Sequence, residues 1–135
     1  MSNPLDAVIN KAISSIPECL AAGYVDIGSG LLLGIKTVDS HPSSVIEILA
    51  AATADLFQGQ NVTLIESMFK KARGVDDGRH YFQEIIVNSD NLVHLFIRGR
   101  KHPDYVCVFV SRNTVNLGMM LAKSRLSVPS FEETM

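Results

Sequence analysis

The 135-residue chain has no tryptophan, two cysteines and only 7% aromatic residues, and charge is scarce too, at 19% Asp, Glu, Lys and Arg. Each shortage removes a class of protein. Cys19 and Cys107 both sit among apolar neighbours, and no basic segment leads into an apolar run at the N-terminus as in a signal peptide. The expected setting is therefore a reducing cytoplasm. No apolar run approaches the roughly 18 to 20 residues that a membrane helix needs, so no membrane partner is expected. The net charge of −2 supplies no field that gathers nucleic acid, which is not an expected partner either.

What the chain has in quantity is apolar residues, 47% of the total. At this length it is read as one domain that buries roughly 68% of its unfolded surface and needs no disulfide or metal to hold together. High apolar content with little charge fits a chain that hides part of its surface in an assembly.

The clearest sign of that is the stretch SVIEILAAATADLF over 44–57. Helical spacing places Val45, Ile48, Leu49, Ala52 and Leu56 on one side, while Ala50, Ala51, Ala54 and Phe57 populate the other. A surface helix ordinarily shows one apolar stripe and a charged back. Here only Glu47 and Asp55 carry charge, so the helix is expected to lie between its own sheet and a second copy of the chain.

Around this helix the punctuation defines the other elements. Asn3 and Pro4 open a helix whose stripe is Leu5, Val8, Ile9, Ala12, Ile13 and Ile16, and Pro17 stops it. Two strands over 18–26 and 31–38 flank the turn Ile27-Gly28-Ser29-Gly30 and read as a hairpin. Ser44 with Glu47, and Thr63 with Glu66, have capping-box spacing at the starts of two helices. The second of these carries Leu64, Ile65, Met68, Phe69 and Ala72, then Lys70, Lys71 and Arg73 before Gly74.

Three strands follow over 81–87, 92–98 and 105–111. Val106-Cys107-Val108-Phe109-Val110 does not alternate, which predicts a central strand covered on both faces. Gln83 and Glu84 suit an edge. A last helix is expected from Asn113 or Thr114, with Val128 and Pro129 opening a tail. The order αββααβββα is an α+β arrangement, with a single domain over 1–125 and a short C-terminal tail over 126–135.

Three chemistries lack the residues they need. Gly28, Gly30, Gly34 and Lys36 lack the helix and the Ser or Thr that a phosphate loop requires. His41, His80, His94 and His102 have no carboxylate or histidine at ligand spacing, so no metal is expected. No serine or cysteine stands in an elbow with a placed histidine. The chain is thus read as a non-enzyme with no cofactor and no catalytic residue.

The element order, the Gly28-Ser29-Gly30 turn, the alanine-rich middle helix and Ser111-Arg112-Asn113-Thr114-Val115-Asn116-Leu117-Gly118 together resemble the Roadblock (dynein light chain) family, in its bacterial single-domain form. Asn116-Leu117-Gly118 is the most specific part. Asp26 departs from the family's usual acidic-Gly turn, because Ile27 separates it from Gly28. The resemblance covers roughly residues 5–125. It implies a five-stranded antiparallel sheet, with the first and last helices on one face and the middle helix on the other. It also implies a homodimer joined through the middle helices and the strand that begins at Tyr81.

Family members of this kind are scaffolds or regulators of small Ras-like GTPases, bacterial polarity switches among them, and contribute no catalytic arginine. The expected dimer-interface residues are Leu49, Ala50, Thr53, Ala54, Phe57, Tyr81, Gln83 and Ile85. Arg98, Arg100 and Lys101, beside His102, form a basic segment that could meet an acidic protein partner. Two other readings remain open at this point: a sensor module of the PAS or GAF type, with His94, Tyr24 and Tyr105 around a cavity, and a structural tether without GTPase specificity.

Overall fold

The computed structural model describes residues 3–38, 43–74 and 82–135, the side chains of 43–50 excepted. The elements are α1 (Pro4–Ser15), β1 (Cys19–Asp26), β2 (Leu31–Thr37), α2 (Ser43–Gln58), α3 (Gln60–Arg73), β3 (Glu84–Asn88), β4 (Leu92–Arg98), β5 (Tyr105–Arg112) and α4 (Leu117–Glu132). The fold class and element order are those expected from the sequence.

The strands form one antiparallel sheet in the order β2-β1-β5-β4-β3. β5 is central and buried from Val106 to Ser111, as its unbroken apolar run requires. Strand alternation sends its side chains to two cores. Cys107 and Phe109 join Ile9, Ala12, Tyr24, Leu95, Met120 and Phe131 beneath α1 and α4. Val106, Val108 and Val110 join Val25, Ile27, Phe96 and Phe57 on the α2 side.

Local chemistry explains where α1 sits. The Asn3 side chain accepts the Asp6 N–H at 2.8 Å, and Pro4 occupies the first turn. The helix then lies close upon β2 at Gly34, where a Cβ would stand 2.9 Å from Leu5 Cδ2 and 3.1 Å from Ile9 Cδ1.

Among the boundaries that differ from the sequence reading, those of four elements show local chemistry at the change. β1 begins at Cys19 because Glu18 has φ 51°, a left-handed backbone that interrupts an extended run. α3 starts at Gln60 on Gly59, with no side-chain cap. Thr63 is therefore inside the helix, its hydroxyl donating to the Gly59 carbonyl at 3.1 Å, and the expected Thr63–Glu66 capping box does not form. The other proposed box, Ser44 with Glu47, falls among side chains outside the described set.

β3 starts at Glu84, after two residues tied to Arg98 of β4: the Phe82 carbonyl accepts from its side chain and the Gln83 carbonyl from its backbone N–H. α4 begins at Leu117, capped by the Asn116 side chain on the Met119 N–H at 3.0 Å. It runs through Pro129 to Glu132, where the sequence predicts a tail from Val128. Proline removes one helical hydrogen bond, but Val128, Phe131 and Glu132 are all buried and hold the last turn in place.

Candidate functional site

Helix α2 turns its faces differently from the sequence expectation. Thr53 and Phe57, expected at a self-association seam, are both fully buried within the protomer. Ala54 is half-buried and packs on the same core. The face that reaches solvent carries Ala51, Ala52, Asp55 and Leu56. A helix apolar all round gives no periodic signal for which side is inside; only contact with Val25, Ile27 and Phe96 decides it. Leu49 and Ala50 belong to the side chains outside the described set, and Tyr81 lies outside the described residues.

α3 follows after the single residue Gly59. Of its residues only Glu66 is buried, and its carboxylate accepts the Phe82 N–H at 3.4 Å. Leu64, Ile65, Met68 and Phe69 of the same helix are exposed at 57, 40, 62 and 46%. These four are legible as part of one stripe in the sequence, and each is at least 40% exposed in the structure.

Each outer edge of the sheet has its own character. β2 is irregular, because its register with β1 shifts between Tyr24 and Val25 and leaves Leu33 without a counterpart. A bulge of this kind twists an edge away from further pairing. β3 is regular, matching β4 residue for residue from Glu84 with Ile97 to Asn88 with Val93. Gln83 is exposed beside it. Ile85 is half-buried against the Phe57 cluster, so only its backbone belongs to the open edge.

The basic segment is divided. Arg98 is 2% exposed and is not at the loop tip. Its guanidinium donates to three backbone carbonyls, Phe82 at 2.9 Å, Pro103 at 3.0 Å and Phe57 at 3.3 Å, and lies 5.0 Å from the Phe57 ring centre. Desolvation lowers its pKa, while Glu66 and Asp104 pull it up. One buried side chain thereby joins the end of α2, the approach to β3 and the β4–β5 loop, a task suited to the rigid fork of arginine.

Arg100 and Lys101 remain exposed, and sequence reasoning missed what holds their loop. The Glu132 carboxylate, 6% exposed, accepts the backbone N–H groups of Lys101 and His102 at 2.7 Å each and of Arg100 at 3.3 Å. Gly99 is required beside it, since a Cβ there would stand 2.6 Å from the His102 carbonyl oxygen. No spacing in the sequence links position 132 to 100.

The residues offered for a sensor cavity do not converge. Tyr24 is buried, its ring 5.5 Å from Phe131 and 5.7 Å from Tyr105, in the core beneath α1 and α4. His94 alternates with Val93 and Leu95 of that core, so it faces the other side of the sheet. Burial pushes the thiol of Cys107 well above its usual range and that of Cys19 upward, which keeps both protonated and poorly nucleophilic. Among the described residues no group of three or more His, Cys, Asp or Glu is placed to hold a metal. No described helix is long and apolar enough to cross a membrane.

What this arrangement offers is contact surface for protein: an outward α2 face, an exposed α3 stripe, a regular open edge and a braced loop bearing two cations. No protein-family model matches the chain, and no curated protein does. Solved structures do. The gliding protein MglB from Thermus thermophilus superposes with a TM-score of 0.71 at 16% identity, over 97% of this chain and 87% of that one. A structure of MglB in a tetrameric arrangement also gives 0.71, at 17% identity over 100% and 95% of the two chains. A Roadblock/LC7 domain from Streptomyces avermitilis gives 0.69 at 17% identity, over 98% and 97%. Five antiparallel strands with α1 and α4 on one face and α2 on the other, matched along nearly the whole of these chains, give this protein the Roadblock fold.

Proposed function

We propose that the chain is a non-enzymatic homodimeric scaffold or regulator whose dimer surface binds a small Ras-like GTPase. The observation that carries this reading is the combination of a regular β3 edge with an outward α2 face on which Ala51 and Ala52 lie beside Asp55 and Leu56. An open edge is a template for another strand, and Ala51 and Ala52 allow close approach of a second helix. Two copies joined in this way form a continuous sheet beneath a layer of helices. The likeness to MglB supports the reading, as does the implication of the Roadblock resemblance that such platforms serve GTPases.

Arg100 and Lys101 are the proposed partner contact, on a loop made rigid by Glu132. Arg98 is not part of that contact, because its guanidinium is occupied inside the protomer.

The test is capture from lysate of the native organism with the purified protein as bait, in parallel with a GTP analogue and with GDP. Recovery of a Ras-like GTPase mainly with the analogue is the expected result. A partner recovered equally in both samples points to a tether, and a monomeric bait that captures no GTPase overturns the reading.

A further inference from the structure

We propose that the backbone N–H groups of Arg100, Lys101 and His102 form a carboxylate-binding site, which Glu132 of the same chain fills and which an acidic side chain of a protein partner takes over. The partner's part in this rests on the reading of Arg100 and Lys101 as its contact. Three observations support it.

The first is the shape of the site. Three successive N–H groups converge on both oxygens of one carboxylate, Lys101 and His102 on Oε2 at 2.7 Å each and Arg100 on Oε1 at 3.3 Å. Successive backbone donors arranged in this way make an anion-binding concavity. Gly99 leaves the room for it, because a Cβ at that position would stand 2.9 Å from Glu132 Oε2. The cradle therefore fits a flat, two-oxygen anion.

The second is that the loop is also held by bonds in which Glu132 has no part. The Gly99 N–H donates to the Tyr105 carbonyl at 2.9 Å, the Tyr105 N–H to the His102 carbonyl at 3.0 Å, and the Ile27 N–H to the Asp104 carbonyl at 2.9 Å. Arg98 adds its bond to the Pro103 carbonyl at 3.0 Å. These anchors keep the three donors aimed at one point when the carboxylate leaves. Donors fixed in advance receive an anion without a fresh ordering cost.

The third is how the occupant can be exchanged. Phe131 fixes the last turn of α4 in the core, so rotation of the Glu132 side chain alone withdraws its carboxylate and leaves the helix in place. Removal strands three donors, whereas exchange for another carboxylate re-forms the same bonds. Arg100 and Lys101, both exposed, stand on the donor residues themselves, and Asp104 is the one acid between Gly99 and Tyr105. A tethered group competes at an effective concentration of about millimolar. A lone acid thus displaces Glu132 poorly, and a protein whose acidic side chains also meet Arg100 and Lys101 displaces it well.

The experiment follows the amide resonances of Arg100, Lys101 and His102 in the full chain as sodium formate is added to Glu132→Ala, with sodium chloride at equal ionic strength as the control. Formate is expected to move the three resonances back toward their wild-type positions along a saturating curve. It should also raise the melting temperature of the variant, since a ligand of the folded state alone stabilises it. The wild type, its site already filled, is expected to do neither.

Glu132→Gln keeps the shape of the side chain and decides the matter should Glu132→Ala fail to fold. Hexaglutamate peptide is expected to shift the same three amides and to bind Glu132→Gln about tenfold more tightly than the wild type, which is about 1.4 kcal/mol, because a neutral acceptor holds the donors less well than a carboxylate. Amides of folded Glu132→Ala that ignore formate, or hexaglutamate that binds the wild type and Glu132→Gln equally or not at all, overturn the proposal and leave Glu132 a structural brace. A response to inorganic phosphate with none to formate overturns the carboxylate assignment. These readouts involve neither a GTPase nor the oligomeric state. Their failure therefore leaves the scaffold reading standing, and an empty capture from lysate leaves the site standing.

Discussion

Glu132 shows how much one side chain can organise. Its carboxylate receives three backbone N–H groups of the β4–β5 loop in a buried site. Hydrogen bonds to a charged group contribute about 1.5–3 kcal/mol, and unpaired buried donors cost a similar amount. Glu132→Ala is therefore expected to lower stability by about 2–3 kcal/mol, read from the urea midpoint. Glu132→Gln keeps the shape and loses the charge, so it should fall between the two. In both variants the amide resonances of Arg100, Lys101 and His102 should shift.

His94 gives a pH dependence at the same scale. Burial lowers its pKa, so the unfolded chain takes up a proton at a higher pH than the folded one. The stability tied to its neutral form is fully present above the unfolded value of about 6.5 and is lost as pH falls below it. His94→Gln should flatten the acid side of the stability curve in that window, measured by thermal melts from neutral to mildly acidic pH. Should the slope there be unchanged, another group controls it.

Among the elements, α4 departs furthest from its sequence reading. Apolar spacing fades after Arg125 and Pro129 signals a break, so a domain ending at 125 is the natural inference. Packing overrides that local signal: Val128 and Phe131 enter the core of Tyr24 and Phe109, and each large apolar side chain buried is worth about 1.5–3 kcal/mol. A chain shortened to residues 1–125 is expected to lose cooperative unfolding, checked by a denaturant titration. If it unfolds with the full chain's midpoint, the last turn is an accessory.

Gly34 limits the α1–β2 contact in a similar way. Gly34→Val places methyls where Leu5 and Ile9 already lie. Overpacking of this sort costs about 1–3 kcal/mol, and a melt reads it directly.

For the whole molecule, the two faces of α2 make opposite predictions. Ala52 lies on the exposed face, whereas Ala54 packs against the Phe57 core. Ala52→Arg should yield a folded monomer, because the charge enters only the proposed seam between copies. Ala54→Arg places a charge beneath the helix, which is costly without a partner, and should destabilise the protomer before any effect on assembly. Light scattering with a melt separates the two outcomes. Equal behaviour of both variants contradicts the assignment of faces.

Local and periodic signals in the chain suffice for much of this architecture. Asn3 and Pro4 start α1, the unbroken Val106–Val110 run makes β5 central, and Gln83 and Glu84 mark the edge on which β3 lies. These follow from backbone geometry and alternation, which act over a few residues. Other outcomes are settled only once the elements pack: which side of an all-apolar α2 faces inward, why α3 keeps its stripe exposed, how Arg98 comes to be buried among three carbonyls, and why α4 continues through proline to Glu132. They depend on groups far apart in the chain, Phe57 with Arg98 and Glu132 with Lys101, and no pattern within a single element records such pairings.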